Sequence, residues 1–290
     1  VNTETTTPGD SGVERRSGSE PGHRSPGSER PRGTGRYRTL VLAQVKKRLL
    51  LMYRYPVNTL SNLAVTFVLF GMVFFGGRAV AGQALTDSLG GIIVGYFLWS
   101  MATGAFSGLA WSVTRESQWG TLEQLYMSPF GYGRVMLSGI AVSVVESFAW
   151  GGAVLAFMLA ITGESIHVPV GTVVVLTVFA IAPAVGIGFC FGGLALVYKR
   201  VENVFNITQF VLLGLVAAPS VDAVWVRLLP ISQGSYLLTR SMQEGLRLWE
   251  LPVAELALLA GTAVVYFGLG YATFQLLGRR ARKQGLMGHY

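Results

Sequence analysis

Residues 88–113 read SLGGIIVGYFLWSMATGAFSGLAWSV, and this run decides what kind of protein the chain is. It holds 26 residues without a charge. As a helix rising about 1.5 Å per residue it reaches roughly 39 Å, more than the ~30 Å of hydrocarbon in a bilayer. One residue beyond it begins Arg115-Glu116-Ser117-Gln118-Trp119-Gly120-Thr121-Leu122-Glu123-Gln124-Leu125-Tyr126-Met127-Ser128-Pro129, the one polar, charge-bearing island of any length between two long apolar segments in the middle of the chain. A charged island between apolar runs is where a membrane-embedded chain meets water.

Composition extends that reading to the whole sequence. Of 290 residues, 51% are hydrophobic and 13% charged, too apolar for an ordinary soluble domain. The net charge of +8 does not indicate nucleic acid, because the cations stand at the ends of apolar runs, where the positive-inside rule puts them. The single cysteine, Cys190, lies inside an apolar run and forms no intrachain disulfide. No Gly-Lys dipeptide occurs, so the phosphate loop that binds ATP is missing from this chain.

Working outward towards the amino terminus, residues 1–36 are of a different kind. Gly, Pro and Ser supply 16 of the first 35 residues, with no aromatic and five Arg against five acids. Such a segment buries too little apolar surface to offset its ordering entropy, and we expect a disordered tail without a signal-peptide core. From Tyr37 to Tyr55, Val41, Val45, Leu49 and Met52 recur at helical spacing, while Gln44, Lys47, Leu51 and Arg54 form a mostly polar stripe. This predicts a basic amphipathic helix in the membrane interface, its cations Lys46, Lys47, Arg48 and Arg54 facing lipid headgroups. Pro56 ends or redirects it.

The expected fold is an all-α integral membrane protein of six transmembrane helices, at about 57–77, 88–113, 135–162, 168–198, 203–221 and 251–278, in a permease domain of residues 37–283 followed by a short tail, 284–290. Pro183 predicts a kink in the fourth span. An even number of spans puts both termini on one side. With that side cytoplasmic, 14 cations lie inside against four outside (Arg78, Arg227, Arg240 and Arg247), the five in the tail set aside. The island is then cytoplasmic, and the chain belongs in the cell membrane. Between the fifth and sixth spans, residues 220–250 are too apolar for a solvated loop, and short helices dipping back into the outer membrane edge suit them.

Catalytic chemistry finds no support. His23, His167 and His289 all lie outside the apolar runs, which leaves an intramembrane serine without a base, and no His/Glu cluster has ligand spacing. Glu146 is the sharpest single residue, 12 positions past Arg134 and so roughly 18 Å along a helix, near the bilayer middle. An ionised carboxylate there costs on the order of 3 kcal/mol unless it is paired, protonated or wet. It serves a transport pathway or coupling, or it is a protonated acid bonded to a neighbouring helix near Ser143 and Ser147. Glu255 lies closer to the interface, where water solvates it. Asn206 and Gln209 in the polar fifth span either line a conduit or bridge neighbouring helices. Glycine pairs at four-residue spacing (Gly91 and Gly95, Gly104 and Gly108, Gly188 and Gly192) permit close helix approach. Within the island, Leu122, Leu125 and Tyr126 put one apolar stripe on a short helix that Pro129 follows. A simple connecting loop would need fewer residues.

Arg115-Glu116, Gly120-Thr121-Leu122-Glu123-Gln124-Leu125 and Ser128-Pro129 together resemble the cytoplasmic loop of ABC transporter permeases of the type-2 exporter family. The resemblance extends over nearly all of residues 37–283, including Tyr198-Lys199-Arg200 followed by Glu202-Asn203, and Leu229-Pro230 leading to Arg240. It implies a permease that pairs with a second copy, without a catalytic, cofactor or metal site of its own, with ATP and Mg bound by a partner ATPase subunit. It implies that Arg115, Glu116, Gly120, Thr121, Leu122, Glu123, Leu125 and Pro129 form a coupling helix seated on that ATPase, which drives export of a hydrophobic or amphipathic drug, antibiotic or lipid. Related permeases export lipid-linked polysaccharides, which stays open, as does a proton-driven transporter with Glu146 as carrier. Against the latter, no internal repeat or matching pair of broken spans is evident.

Overall fold

The computed structural model describes residues 33–81, 83–118, 132–198, 202–220 and 224–283, and among them the chain is all-helical, with no strand. Eight α-helices occur in order: α1 Gly33–Arg54, α2 Pro56–Ala81, α3 Gln83–Gln118, α4 Tyr132–Thr162, α5 Val170–Val197, α6 Glu202–Ala217, α7 Ser232–Glu244 and α8 Val253–Lys283. The amino-terminal tail through residue 32 and the carboxyl tail 284–290 lie outside the described residues. The basic helix begins at Gly33, ahead of the expected Tyr37.

Five helices, α2, α3, α4, α5 and α8, are long and apolar enough to cross a membrane. The expected fifth span is shorter: α6 has 16 residues and reaches roughly 24 Å, after which the chain tightens into a 3-10 turn, Ala218–Ser220. Beyond it a second 3-10 turn, Val224–Leu228, leads into α7. Ile231, a buried β-branched residue at φ 71°, turns the chain into α7, a backbone state that costs on the order of 1–3 kcal/mol and persists only where its surroundings enforce it. Proline supplies two helix starts. Val173 N–H donates to the carbonyl of Pro169 at 2.9 Å, and Glu255 N–H to that of Pro252 at 3.0 Å. The α-helix of α5 runs unbroken through Pro183.

The centre of the bundle is α5 between α3 and α8. Glycine sets how close they come. A β-carbon on Gly186 would strike the backbone of Tyr266, and one on Gly270 would strike the backbone of Gly186, so α5 and α8 meet main chain to main chain. Gly188 and Gly192 serve α3 in the same way, against the Phe106 carbonyl (3.1 Å) and the Val113 side chain (3.3 Å). Aromatic rings fill the remaining space: Phe106 stands edge-on to Phe191 and Phe205, and Phe189 meets Phe267, Tyr271 and Phe274.

Helices α2 and α6 sit at the rim, each fixed to α3 by an aromatic donor. Tyr96 O–H donates to the Thr66 carbonyl (2.7 Å) and Trp99 Nε1–H to the Gln209 carbonyl (2.9 Å). Only 11% of the apolar window of α2 is buried, against 61% for α5, so its outer face needs lipid or another chain.

Two ends of the bundle can be told apart. One, the basic end, carries the end of α3, the start of α4, the end of α5, the start of α6 and the end of α8. At the opposite end α7 finishes beside the starts of α3 and α5. Gly245 meets His167, Gln243 reaches Gly90, and Leu248 N–H donates to Thr172 Oγ1 at 3.0 Å. The start of α7 lies lower, because Ser232 and Ser235 hydroxyls donate to the Leu215 and Val216 carbonyls (2.8 and 2.7 Å) in the last turn of α6. Helices α6 and α7 therefore run in series from one end of the bundle to the other.

Candidate functional site

The island's core, including Gly120, Thr121, Leu122, Glu123, Leu125 and Pro129, lies outside the described residues. Both its flanks are visible. On the leading side, Arg115 and Glu116 end α3, and the Glu116 carboxylate receives Lys47 Nζ of α1 at 3.4 Å. On the trailing side, the start of α4 passes close to α8. A β-carbon on Gly133 would stand 3.0 Å from Tyr271 Oη and 3.2 Å from Gln275 Nε2, groups already bonded to each other at 2.8 Å. Glycine at 133 leaves room for that hydroxyl–amide pair.

Beside Lys47, Arg48 does something else. Its Nε–H donates to Glu146 Oε2 at 2.5 Å, with both side chains under a third exposed. The guanidinium lies over Gly108, whose missing side chain leaves a seat: a β-carbon there would meet Ser143 Oγ at 3.1 Å and Arg48 Nη2 at 3.6 Å. One turn earlier Gly104 receives Ser147 in the same manner, at 3.1 Å. Two glycines on α3 thus face two serines on α4, each pair four residues apart, and the charge pair sits at their edge. Gly108 precedes Glu116 by eight residues, so this seat lies roughly 12 Å inward from the Lys47–Glu116 contact.

Glu146 has its partner on a neighbouring helix, and that partner is Arg48 of α1. Ser147 donates to the Ser143 carbonyl (2.9 Å), and the carboxylate is ion-paired instead. On helix α1, Leu40, Gln44, Val45, Arg48 and Met52 are half-buried; Val45 and Met52 belong to the predicted apolar stripe, whose other members, Val41 and Leu49, are exposed where lipid can cover them. Lys46 and Arg54 are exposed, whereas Arg48 and the equally exposed Lys47 pair with acids of this chain.

Asn206 is exposed on α6, next to Ile207 and Phe210, and Asn203 is exposed one turn before. Gln209 is half-buried, and its carbonyl is the acceptor for Trp99.

The opposite end holds a second charged cluster. Glu255, expected in water, has a side chain 21% exposed and stands between Arg227 (3.7 Å) and Arg240 (3.8 Å). Arg227 lies over the Tyr236 ring at 4.2 Å, Arg240 also reaches Glu244 at 3.4 Å, and Gln233 Nε2 donates to the Glu255 carbonyl at 3.3 Å. The residues between α6 and α8 are thereby tied to the first turn of α8. Among the described residues no group of three or more His, Cys, Asp or Glu could hold a metal ion.

Sequence reasoning finds Glu146 and the four-residue glycine spacing but misses the seat that joins them. The signal for it is Ser143 and Ser147, a small-residue pair of matching period 35 residues beyond Gly108 and 43 beyond Gly104. The convergence of Arg227 and Arg240 on Glu255 has no local signal, because three separate elements supply it. Comparison with protein-family models, with curated proteins and with solved structures found no match.

Proposed function

We propose that the chain is the membrane-spanning subunit of an exporter driven by ATP hydrolysed on a separate subunit, as its resemblance to type-2 ABC permeases implies. Five long apolar helices make a multi-pass membrane protein, and the missing phosphate loop requires that an ATP-driven version take its energy from a partner. The observation that carries the reading is the Lys47–Glu116 contact: the leading edge of the island is tied to the basic helix α1. A partner seated on Arg115, Glu116 and the residues up to Pro129 therefore acts on α1 and α3 together. It acts on α4 through the trailing edge.

On this reading the basic end is cytoplasmic, in the cell membrane, with both termini on that side. Helices α6 and α7 in series serve as the sixth crossing, with α7 and its flanking 3-10 turns as the re-entrant outer segment. Exposed Asn203 and Asn206 at the rim are costly against lipid, which favours a second copy of the chain there. The cargo is a hydrophobic or amphipathic molecule that leaves the inner leaflet. The Arg48–Glu146 pair weighs against Glu146 as a proton carrier, because the carboxylate is already held by a fixed counter-ion.

Affinity purification of the full chain from its own membranes in mild detergent tests this. A nucleotide-binding subunit co-elutes on the proposed reading, and Gly120→Glu or Leu122→Glu abolishes its stimulation while the chain still purifies in one folded form. Absence of any such subunit under several gentle conditions rejects the reading.

A further inference from the structure

We infer that Glu146 is the intramembrane anchor of α1, with Arg48 as its fixed counter-ion, and that this pair sets the height and rotation of α1 against α3 and α4. Both are positioning residues rather than parts of a substrate path. Three independent features support the assignment. First, the packed face of α1 takes in Gln44 and the charged Arg48 along with Leu40, Val45 and Met52, while the apolar Val41 and Leu49 stay exposed, so a cation is held on that face in preference to two apolar residues. Second, the guanidinium has a built seat, because Gly108 of α3 offers no side chain and Ser143 of α4 is the neighbouring wall. Third, the preceding residue, Lys47, holds Glu116 at the end of α3. Adjacent cations on one helix thus grip acids on two other helices, Glu116 at the end of α3 and Glu146 within α4, which fixes tilt as well as height.

The chemistry explains the choice of residues. A carboxylate at that depth must be paired or neutral, and an arginine entering from an interfacial helix brings its own long apolar stem. Arginine suits the role better than lysine, since it stays charged at low dielectric and its planar head fits between two closely packed helices.

The consequence for transport rests on the exporter reading; the anchoring itself does not. In a Cys190→Ser background, a reporter Gln44→Cys on the half-buried face of α1 is labelled by a membrane-impermeant maleimide in opened membranes. Labelling is slow with the native pair. It rises about tenfold with Glu146→Gln or Arg48→Glu, and returns to within about threefold of native in the Arg48→Glu/Glu146→Arg double reversal, as pairwise coupling requires. The charge-conserving Arg48→Lys gives an intermediate rate. In parallel, ATP-driven transport by the reconstituted complex falls with each single change and recovers in the double reversal, while the nucleotide-binding subunit co-elutes throughout. Unchanged labelling with Glu146→Gln, or a double reversal no better than the single ones, overturns the anchor. Normal labelling behaviour without any co-eluting ATPase overturns the exporter reading instead and leaves the anchor standing. Monodisperse elution of Glu146→Gln, the mildest variant, separates loss of anchoring from loss of fold.

Discussion

Gly270 and Gly268 are two residues apart on α8 and have opposite surroundings. A β-carbon on Gly270 runs into the Gly186 main chain, whereas one on Gly268 meets nothing within 4 Å. Main chain at a helix crossing cannot swing away as a side-chain tip can, so Gly270→Ala must push α5 and α8 apart. We expect that substitution to cost on the order of 3 kcal/mol and to lower the unfolding temperature in detergent. Gly268→Ala removes a helix-weakening glycine at no steric cost and leaves stability equal or raised by about 0.5–1 kcal/mol. Equal melting temperatures for the two variants would contradict the crossing geometry. Sequence alone does not distinguish these glycines, because 37 of them are spread through an apolar chain and the partner backbone lies some 84 residues away. Glu146 is the contrasting case. Its oddity is legible at once, since a carboxylate deep in an apolar run demands an explanation, but the explanation is Arg48, 98 residues earlier. Periodicity within α1 sends Arg48 to the headgroups, because it weighs only that helix's own faces. Breaking this part-buried pair from one side leaves a partly desolvated charge behind and costs more than the roughly 0–1 kcal/mol that an exposed contact such as Lys47–Glu116 contributes.

At the scale of the element, α6 departs furthest from expectation. Its apolar run suggests a span through Val221, yet the helix stops at Ala217, and a separate helix, α7, follows it beyond two 3-10 turns. The Leu215 and Val216 carbonyls in its last turn accept from two serines in the first turn of α7, which ties the end of α6 to the next helix. Both serines are buried, so Ser232→Ala or Ser235→Ala removes a buried hydrogen bond and costs about 1 kcal/mol each. The double variant should lose more than either alone and should free residues 218–231 to limited proteolysis. If that segment resists cleavage in the double variant, those hydroxyls do not hold the joint. The Ser-Gln-Gly-Ser sequence carries little of this on its face, because serine before an apolar run reads equally well as an ordinary helix start. Its neighbour across the joint is what gives it a second task. Trp99 performs a related task at mid-height. Trp99→Phe keeps the ring and removes only the N–H that holds the Gln209 carbonyl, which should loosen α6 by about 1 kcal/mol, measurable as faster amide exchange in α6 alone.

For the whole molecule, the number of traverses decides everything said about sides. Five long helices alone would put α1 and the end of α8 on opposite faces of a membrane, and the charge count that favours one cytoplasmic side would lose its meaning. With α6 and α7 acting together as the sixth traverse, the two lie on the same face. The contacts favour the second arrangement, since α6 starts beside the end of α5, and α7 finishes beside the start of α5, where Leu248 meets Thr172. Cysteine mapping reads the difference directly. In the Cys190→Ser background, Trp249→Cys stands at the end where α7 finishes, and Ala43→Cys and Arg280→Cys at the basic end; all three native residues are exposed. We expect a membrane-impermeant maleimide added to intact cells to label Trp249→Cys at once. Ala43→Cys and Arg280→Cys should react only after the membrane is opened. Labelling of Ala43→Cys and Arg280→Cys from opposite sides would mean that α6 and α7 do not together cross. The island could then lie on the cytoplasmic side only if the carboxyl terminus did not, and α8 could no longer carry the Arg227–Arg240–Glu255 cluster at one end and the contact with Gly133 of α4 at the other.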